Sequence, residues 1–117
     1  MDADLRICPM AEADLDELVR LHGLYLNYGE GIRTHFEGVL RDPASVAVKC
    51  EAGGRMVGLD IYTRGVALSG GHEALCVRVR ESVGGAVVYT GDALLVVPER
   101  RGQGVDAAML AESRRLL

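Results

Sequence analysis

Hydrophobic positions along the chain change their period several times, and each change marks an element. Leu5-Arg6-Ile7-Cys8 alternates apolar and polar side chains up to Pro9, which predicts a short opening strand. From Ala11 to about Leu26 the spacing becomes three and four. Leu15, Leu18, Val19, His22 and Leu26 then share one face, so an amphipathic helix is expected. Glu12, Asp14, Asp16 and Glu17 load its first turns, where the helix dipole is positive. Gly29-Glu30-Gly31 breaks the pattern, and a second short helix should run from Ile32 to Leu40, stopped by Asp42-Pro43.

Beyond Ser45 the period falls to two. Val46, Val48 and Cys50 fall at every second position, and Gly53-Gly54 supplies the positive φ angles of a tight hairpin into a strand from Arg55 to Tyr62. The Gly-rich stretch from Thr63 to Gly71 reads as a loop. Leu75, Val77 and Val79 predict a strand whose other face carries Cys76, Arg78 and Arg80. After Ser82-Val83-Gly84-Gly85, the β-branched run from Ala86 to Val97 should be the central strand, with a bulge or bend at Gly91-Asp92. Pro98 ends it, and Val105 to Leu117 is rich in helix formers. The resulting fold class is α+β, a mixed and mostly antiparallel sheet with flanking helices.

Composition narrows the function classes. At 117 residues and 49% hydrophobic content, residues 1–117 are expected to form one domain with a small core. A net charge of −4, with basic residues spread along the chain, leaves no footprint for nucleic acid. Cys8, Cys50 and Cys76 are odd in number and lack ligand spacing, so buried free thiols are expected rather than a disulfide framework or a zinc site. The acidic N-terminus has no signal-peptide order, and no apolar run approaches a membrane span of roughly 18 residues. A cytoplasmic protein without membrane or metal partners is the expectation.

The most informative segment is Val96-Val97-Pro98-Glu99-Arg100-Arg101-Gly102-Gln103-Gly104-Val105. A glycine-rich turn that feeds a helix exposes N–H groups lacking an intrahelical partner, and the dipole adds about half a positive charge there. Such a turn suits phosphate, and Arg100 and Arg101 can add charge-assisted bonds. A dinucleotide reading of Gly102-x-Gly104-x-x-Ala107 needs a βαβ unit and an acid about 20 residues further on, which this sequence does not supply. A Walker loop needs Gly-Lys-Ser/Thr, also absent here.

An acyl-CoA loop fits best. In the order Val96, Pro98, Arg101, Gly104 the sequence resembles the GNAT N-acetyltransferases, and the resemblance extends to Leu5–Pro9, Ala11–Asn27 and Gly54–Gly58 as that family's first strand, first helix and third strand. It implies an acyl-CoA co-substrate, acetyl-CoA, whose pantetheine arm and thioester carbonyl meet the amides of Leu94 and Val96. Arg101, Gly102, Gln103, Gly104 and Asp106 would surround its pyrophosphate. The family's fold continues with a fifth strand, a helix and a hairpin that this sequence does not reach, so a C-terminally truncated version is expected. Asp106 stands where the family has Gly or Ala. Its carboxylate would either repel a diphosphate or complement the dipole of the last helix.

The implied reaction is direct attack of an amine on the thioester, which needs a base near the central strand. Asp92 is the leading candidate, with Asp60 and Glu81 behind it, although an Asp after Gly91 also fits a bulge or a solvated face. Tyr89 could donate a hydroxyl, or simply be a half-buried strand tyrosine. Tyr25 and Tyr28 either line an acceptor pocket or pack in the core. His22 reads as a packed or edge residue, and His35 and His72 have no partner at ligand spacing. Together these readings predict an N-acetyltransferase acting on a small-molecule or peptide amine. The alternative is a degenerate relative that serves as an interaction or regulatory module. The edge of the long strand would be an aggregation liability unless covered, so a homodimer or another covering chain is expected.

Overall fold

The computed structural model describes residues 4–26, 29–64 and 89–117. Strand β1 (Leu5–Pro9) leads into a 3-10 turn at Glu12–Asp14 and helix α1 (Leu15–Tyr25). The first helix thus starts later than its apolar spacing suggests. The 3-10 turn comes first: Asp14 N–H donates to the Ala11 carbonyl at 2.9 Å, and the Asp14 carboxylate accepts the Ala11 N–H at 2.8 Å. The carboxylate bond is the side-chain half of a capping box, which satisfies an N–H at the start of the helical turns. Helix α2 (Ile32–Arg41) ends as Asp42 accepts the Ala44 N–H at 2.9 Å and turns the chain through Pro43.

Strands β2 (Val46–Ala52), β3 (Arg55–Arg64) and β4 (Tyr89–Val96) complete an antiparallel sheet of order β1-β2-β3-β4. The turn between β2 and β3 has Gly53 at φ 58° and Gly54 at φ 78°, left-handed angles at both positions that match the twist of a two-residue hairpin. β3 continues past Tyr62 because Thr63 and Arg64 pair with Thr90 and Tyr89, so Thr63 is strand and not loop. β4, expected to be central, is an outermost strand among the described residues. The strand expected at Leu75–Val79, the rest of the Gly-rich loop and Ala86–Val88 lie outside the described residues, as do Tyr28, His72, Cys76 and Glu81.

Period-two alternation gives the sheet two apolar faces. On one face, Leu59, Ile61, Leu95 and Val97 pack against Leu18 and Leu21 of α1 and Phe36 and Val39 of α2. Leu18 and Phe36 are almost fully buried, each worth roughly 1.5 to 3 kcal/mol. On the other face, Val46, Val48, Cys50 and Ala52 meet Val105 and Met109 of helix α3 (Val105–Leu116). Cys8 and Cys50 are free thiols; Cys50 is buried, which raises its pKa, whereas Cys8, on the outermost strand β1, is only half-buried.

Two residues of β3 fix how α3 lies. A Cβ on Gly58 would come 3.0 Å from Met109 Cε and 3.2 Å from Val105 Cγ1, so the helix rests directly on the bare backbone. Asp60, also under α3, is 1% exposed and accepts a 2.8 Å hydrogen bond from Ser113 Oγ, with the Tyr62 side chain as a second partner. Burial raises the Asp60 carboxyl above its ordinary value, opposed by these two hydrogen bonds. Among the described residues no helix is long and apolar enough to cross a membrane, and no group of three or more His, Cys, Asp or Glu could hold a metal ion.

Candidate functional site

The site is built where β4 hands the chain to α3. Val97 N–H donates to the Val57 carbonyl at 2.9 Å, so Val97 and Val57 form a hydrogen-bonded pair. Alternation along the strand then turns the N–H and C=O of Leu94 and Val96 away from β3, onto the outer edge. A second observation agrees, since the Val96 carbonyl accepts a 3.1 Å bond from Arg101 Nε. No other described strand pairs with that edge.

Pro98–Arg100 makes one 3-10 turn, and Gly102 (φ 78°) and Gly104 (φ 81°) take left-handed angles that a side chain would strain. Gly104 is the N-cap of α3 and no side chain caps the helix, whose first intrahelical bond runs from Ala108 N–H to Gly104 O. The amides of Val105, Asp106 and Ala107 precede that bond and have no partner within the helix. Val105, 1% exposed against Gly58, anchors the turn to the sheet.

A cleft of about 350 Å³ opens between this turn and the end of α1. Leu94, Val96, Arg101, Gly102 and Asp106 line it, together with Tyr25 from α1. Gln103 and Gly104 do not line it. Gln103 instead donates from its side-chain amide to the Glu99 carbonyl at 3.3 Å, closing the loop on itself. Arg100 also borders the cleft and is ion-paired with Asp4 at 3.1 Å. Arg101 spends one of five N–H donors on Val96. Sequence reasoning did not single out Leu26 or Leu95, which complete the lining. Leu26 follows the helical face of α1, but its place beside β4 depends on tertiary packing.

The other candidates separate. Asp92 is the extra residue at a register shift in which Ile61 pairs with Ala93 and Tyr62 with Gly91. Such a bulge re-aims a side chain. Its Oδ2 lies 2.7 Å from Nε2 of His35 on α2, a partner that sequence spacing did not suggest. Tyr89 packs instead against the cluster that α3 covers. Asp60 is buried under α3 and bonded to Ser113, away from the cleft lining. Tyr25 is in the lining of the cleft beside β4.

Neither a scan against protein-family models nor a search of curated proteins returns a match. Solved structures do match. A ribosomal-protein-alanine N-acetyltransferase from Brucella melitensis biovar Abortus 2308 superposes with TM-score 0.64 at 20% identity, over 95% of this chain and 69% of that one. The fold is that of the GNAT acetyltransferases. The aminoglycoside 6'-N-acetyltransferase AAC(6')-Ih from Acinetobacter baumannii shares this GNAT fold at TM-score 0.70 and 11% identity, over 96% of this chain and 70% of that one. Arabidopsis thaliana NAA60 in complex with acetyl-CoA matches at TM-score 0.70 and 18% identity, covering 96% and 66%. In GNAT terms, the expected order of strand, helices, antiparallel strands and helix is the order found.

Proposed function

We propose that this chain binds acetyl-CoA in the cleft beside β4 and transfers its acetyl group to a small-molecule or peptide amine in the cytoplasm. The observation that supports this most is the convergence on one cleft of the outward amides of Leu94 and Val96 and the uncapped first turn of α3. Solved neighbours of the same fold include proteins bound to acetyl-CoA and to a bisubstrate analogue of CoA. The residues present fit such a co-substrate: edge amides for the amide-rich pantetheine arm, and a helix N-terminus with Arg101 for the diphosphate. When bound, acetyl-CoA supplies an acetyl carbonyl activated as a thioester. Leu94 and Val96 would hold that carbonyl by their N–H groups, and Asp92 stands two residues before Leu94 on the same strand.

Isothermal titration with acetyl-CoA and with CoA tests the reading directly. Binding in the micromolar range is expected, and absence of both heat and thermal shift at millimolar ligand would remove it. One observation favours a second reading, a GNAT-like module that no longer uses the cofactor. Asp106 lines the cleft, and a carboxylate there carries the same charge as a diphosphate. No CoA binding by the wild type, with binding gained on replacing Asp106 with Gly, would support that reading.

A further inference from the structure

We propose that His35 is the general base of the transfer and that Asp92 is its positioning residue; this rests on the acetyl-transfer reading above. The two residues lie 57 positions apart in sequence and come from α2 and the β4 bulge, yet His35 Nε2 and Asp92 Oδ2 are 2.7 Å apart. An ionised carboxylate can only accept a hydrogen bond, so Nε2 must be the nitrogen that carries the proton. A neutral His35 therefore keeps its lone pair on Nδ1, the form a base needs. Asp92 is mostly covered whereas the His35 side chain is 48% exposed, so the acid is shielded and the imidazole stays reachable from solvent. Phe36 steadies the ring at a centroid distance of 5.0 Å, with His22 of α1 at the same distance from Phe36. Next along α2, Arg33 is ion-paired with Asp16 and Glu37 with Arg41. Asp92 is thus the charged group bonded to His35 itself.

The chemistry needs this arrangement because an amine enters as its ammonium or must shed a proton during attack. The acceptor nitrogen forms a bond to the acetyl carbon while the carbon–sulfur bond breaks. His35 Nδ1 takes the proton from nitrogen, directly or through one water, and the departing CoA thiolate takes a proton from solvent. Asp92 stabilises the imidazolium formed. The β4 bulge supplies the geometry: it turns Asp92 toward α2 two residues before Leu94, whose amide faces the cleft.

The test compares wild type with His35→Gln and Asp92→Asn, each checked for folding by circular dichroism. Acetyl-CoA affinity is read by calorimetry, and CoA release is followed from pH 5 to 9 with kanamycin, spermidine and an alanine-initiated peptide as acceptors. The imidazole tautomer is read from 15N shifts. Expected results are unchanged acetyl-CoA affinity in both variants and a loss of about 100-fold or more in kcat for His35→Gln. The acid limb of the wild-type pH profile should vanish in that variant. Asp92→Asn should move the His35 proton from Nε2 to Nδ1. Turnover and pH profile unchanged in His35→Gln would overturn the dyad alone. A wild type that binds acetyl-CoA but releases no CoA with any of the three amines also counts against it. A wild type that does not bind acetyl-CoA overturns the transfer reading itself.

Discussion

Replacing Gly58 with Ala probes the contact that seats α3, and thereby the cofactor turn, on the sheet. The new methyl would lie 3.0 Å from Met109 Cε and 3.2 Å from both Met109 Sδ and Val105 Cγ1. Comfortable carbon contacts are about 3.5 to 4.0 Å, so each neighbour must retreat by several tenths of an ångström. Both neighbours are buried to within 1% of complete, and Val105 is β-branched and stiff at χ1. Overpacking of this kind costs about 1 to 3 kcal/mol. Against it stands the roughly 0.5 to 1 kcal/mol by which Ala outdoes Gly inside a strand. The net expectation is a loss of about 0.5 to 2 kcal/mol, or about 2 to 10 °C in Tm for a domain of this size. Urea titration followed by circular dichroism measures it, with an unchanged slope confirming that only stability moved. A double-mutant cycle with Met109→Ala should show coupling of about 0.5 kcal/mol or more, because the added methyl then fills part of the space left behind. If Gly58→Ala is stabilising, or if the two changes are additive, α3 does not rest on Gly58 as described.

Other expectations follow from the same contacts. Ser113→Ala removes the donor from buried Asp60 and should destabilise by about 1 to 3 kcal/mol, read by urea titration. Asp60 has a raised folded-state pKa, so its contribution to stability is fully present below the unfolded value of 3.8 and lost as pH rises through the folded value. Asp60→Asn should flatten stability against pH across that window, and an unchanged slope would refute the assignment. Asp106→Asn removes a like charge from the cleft and should tighten CoA binding by about 1 kcal/mol or more, about fivefold in Kd, by calorimetry. The outer edge of β4, with Leu94 half exposed, should be covered by a second copy, and light scattering that returns a monomer at high concentration would contradict this.

Elements governed by local rules were legible in the sequence. The alternation of Val46, Val48 and Cys50 set the face that α3 covers, Gly53-Gly54 set the hairpin, and Pro98 with Gly102 and Gly104 set the turn. Misread boundaries trace to competing local bonds. A 3-10 turn closed between Ala11 and Asp14 precedes α1, and pairing with β4 extends β3 past Tyr62. Leu94, Val96, Arg101, Gly102 and Asp106 gather around one cleft because they follow one another along a strand and a turn, where spacing alone nearly fixes position.

His35 was not legible for the opposite reason. On α2 it sits beside Phe36, within a helix whose period accounts for Ile32, Phe36 and Val39, and nothing in that period marks the position between them. Its meaning depends on a bulge in a strand more than fifty residues away, and a bulge shows in sequence only as an ambiguous Gly91-Asp92. Without the bulge, period-two alternation would continue unbroken from Tyr89 to Val96, and Asp92 would share a face with Leu94 and Val96. That is the face α3 covers, whereas His35 reaches in from α2 on the other. The register shift is therefore what makes the pair possible. Residues that depend on such an irregularity lie where alternation fails, and Asp92 is the one position in β4 where it does.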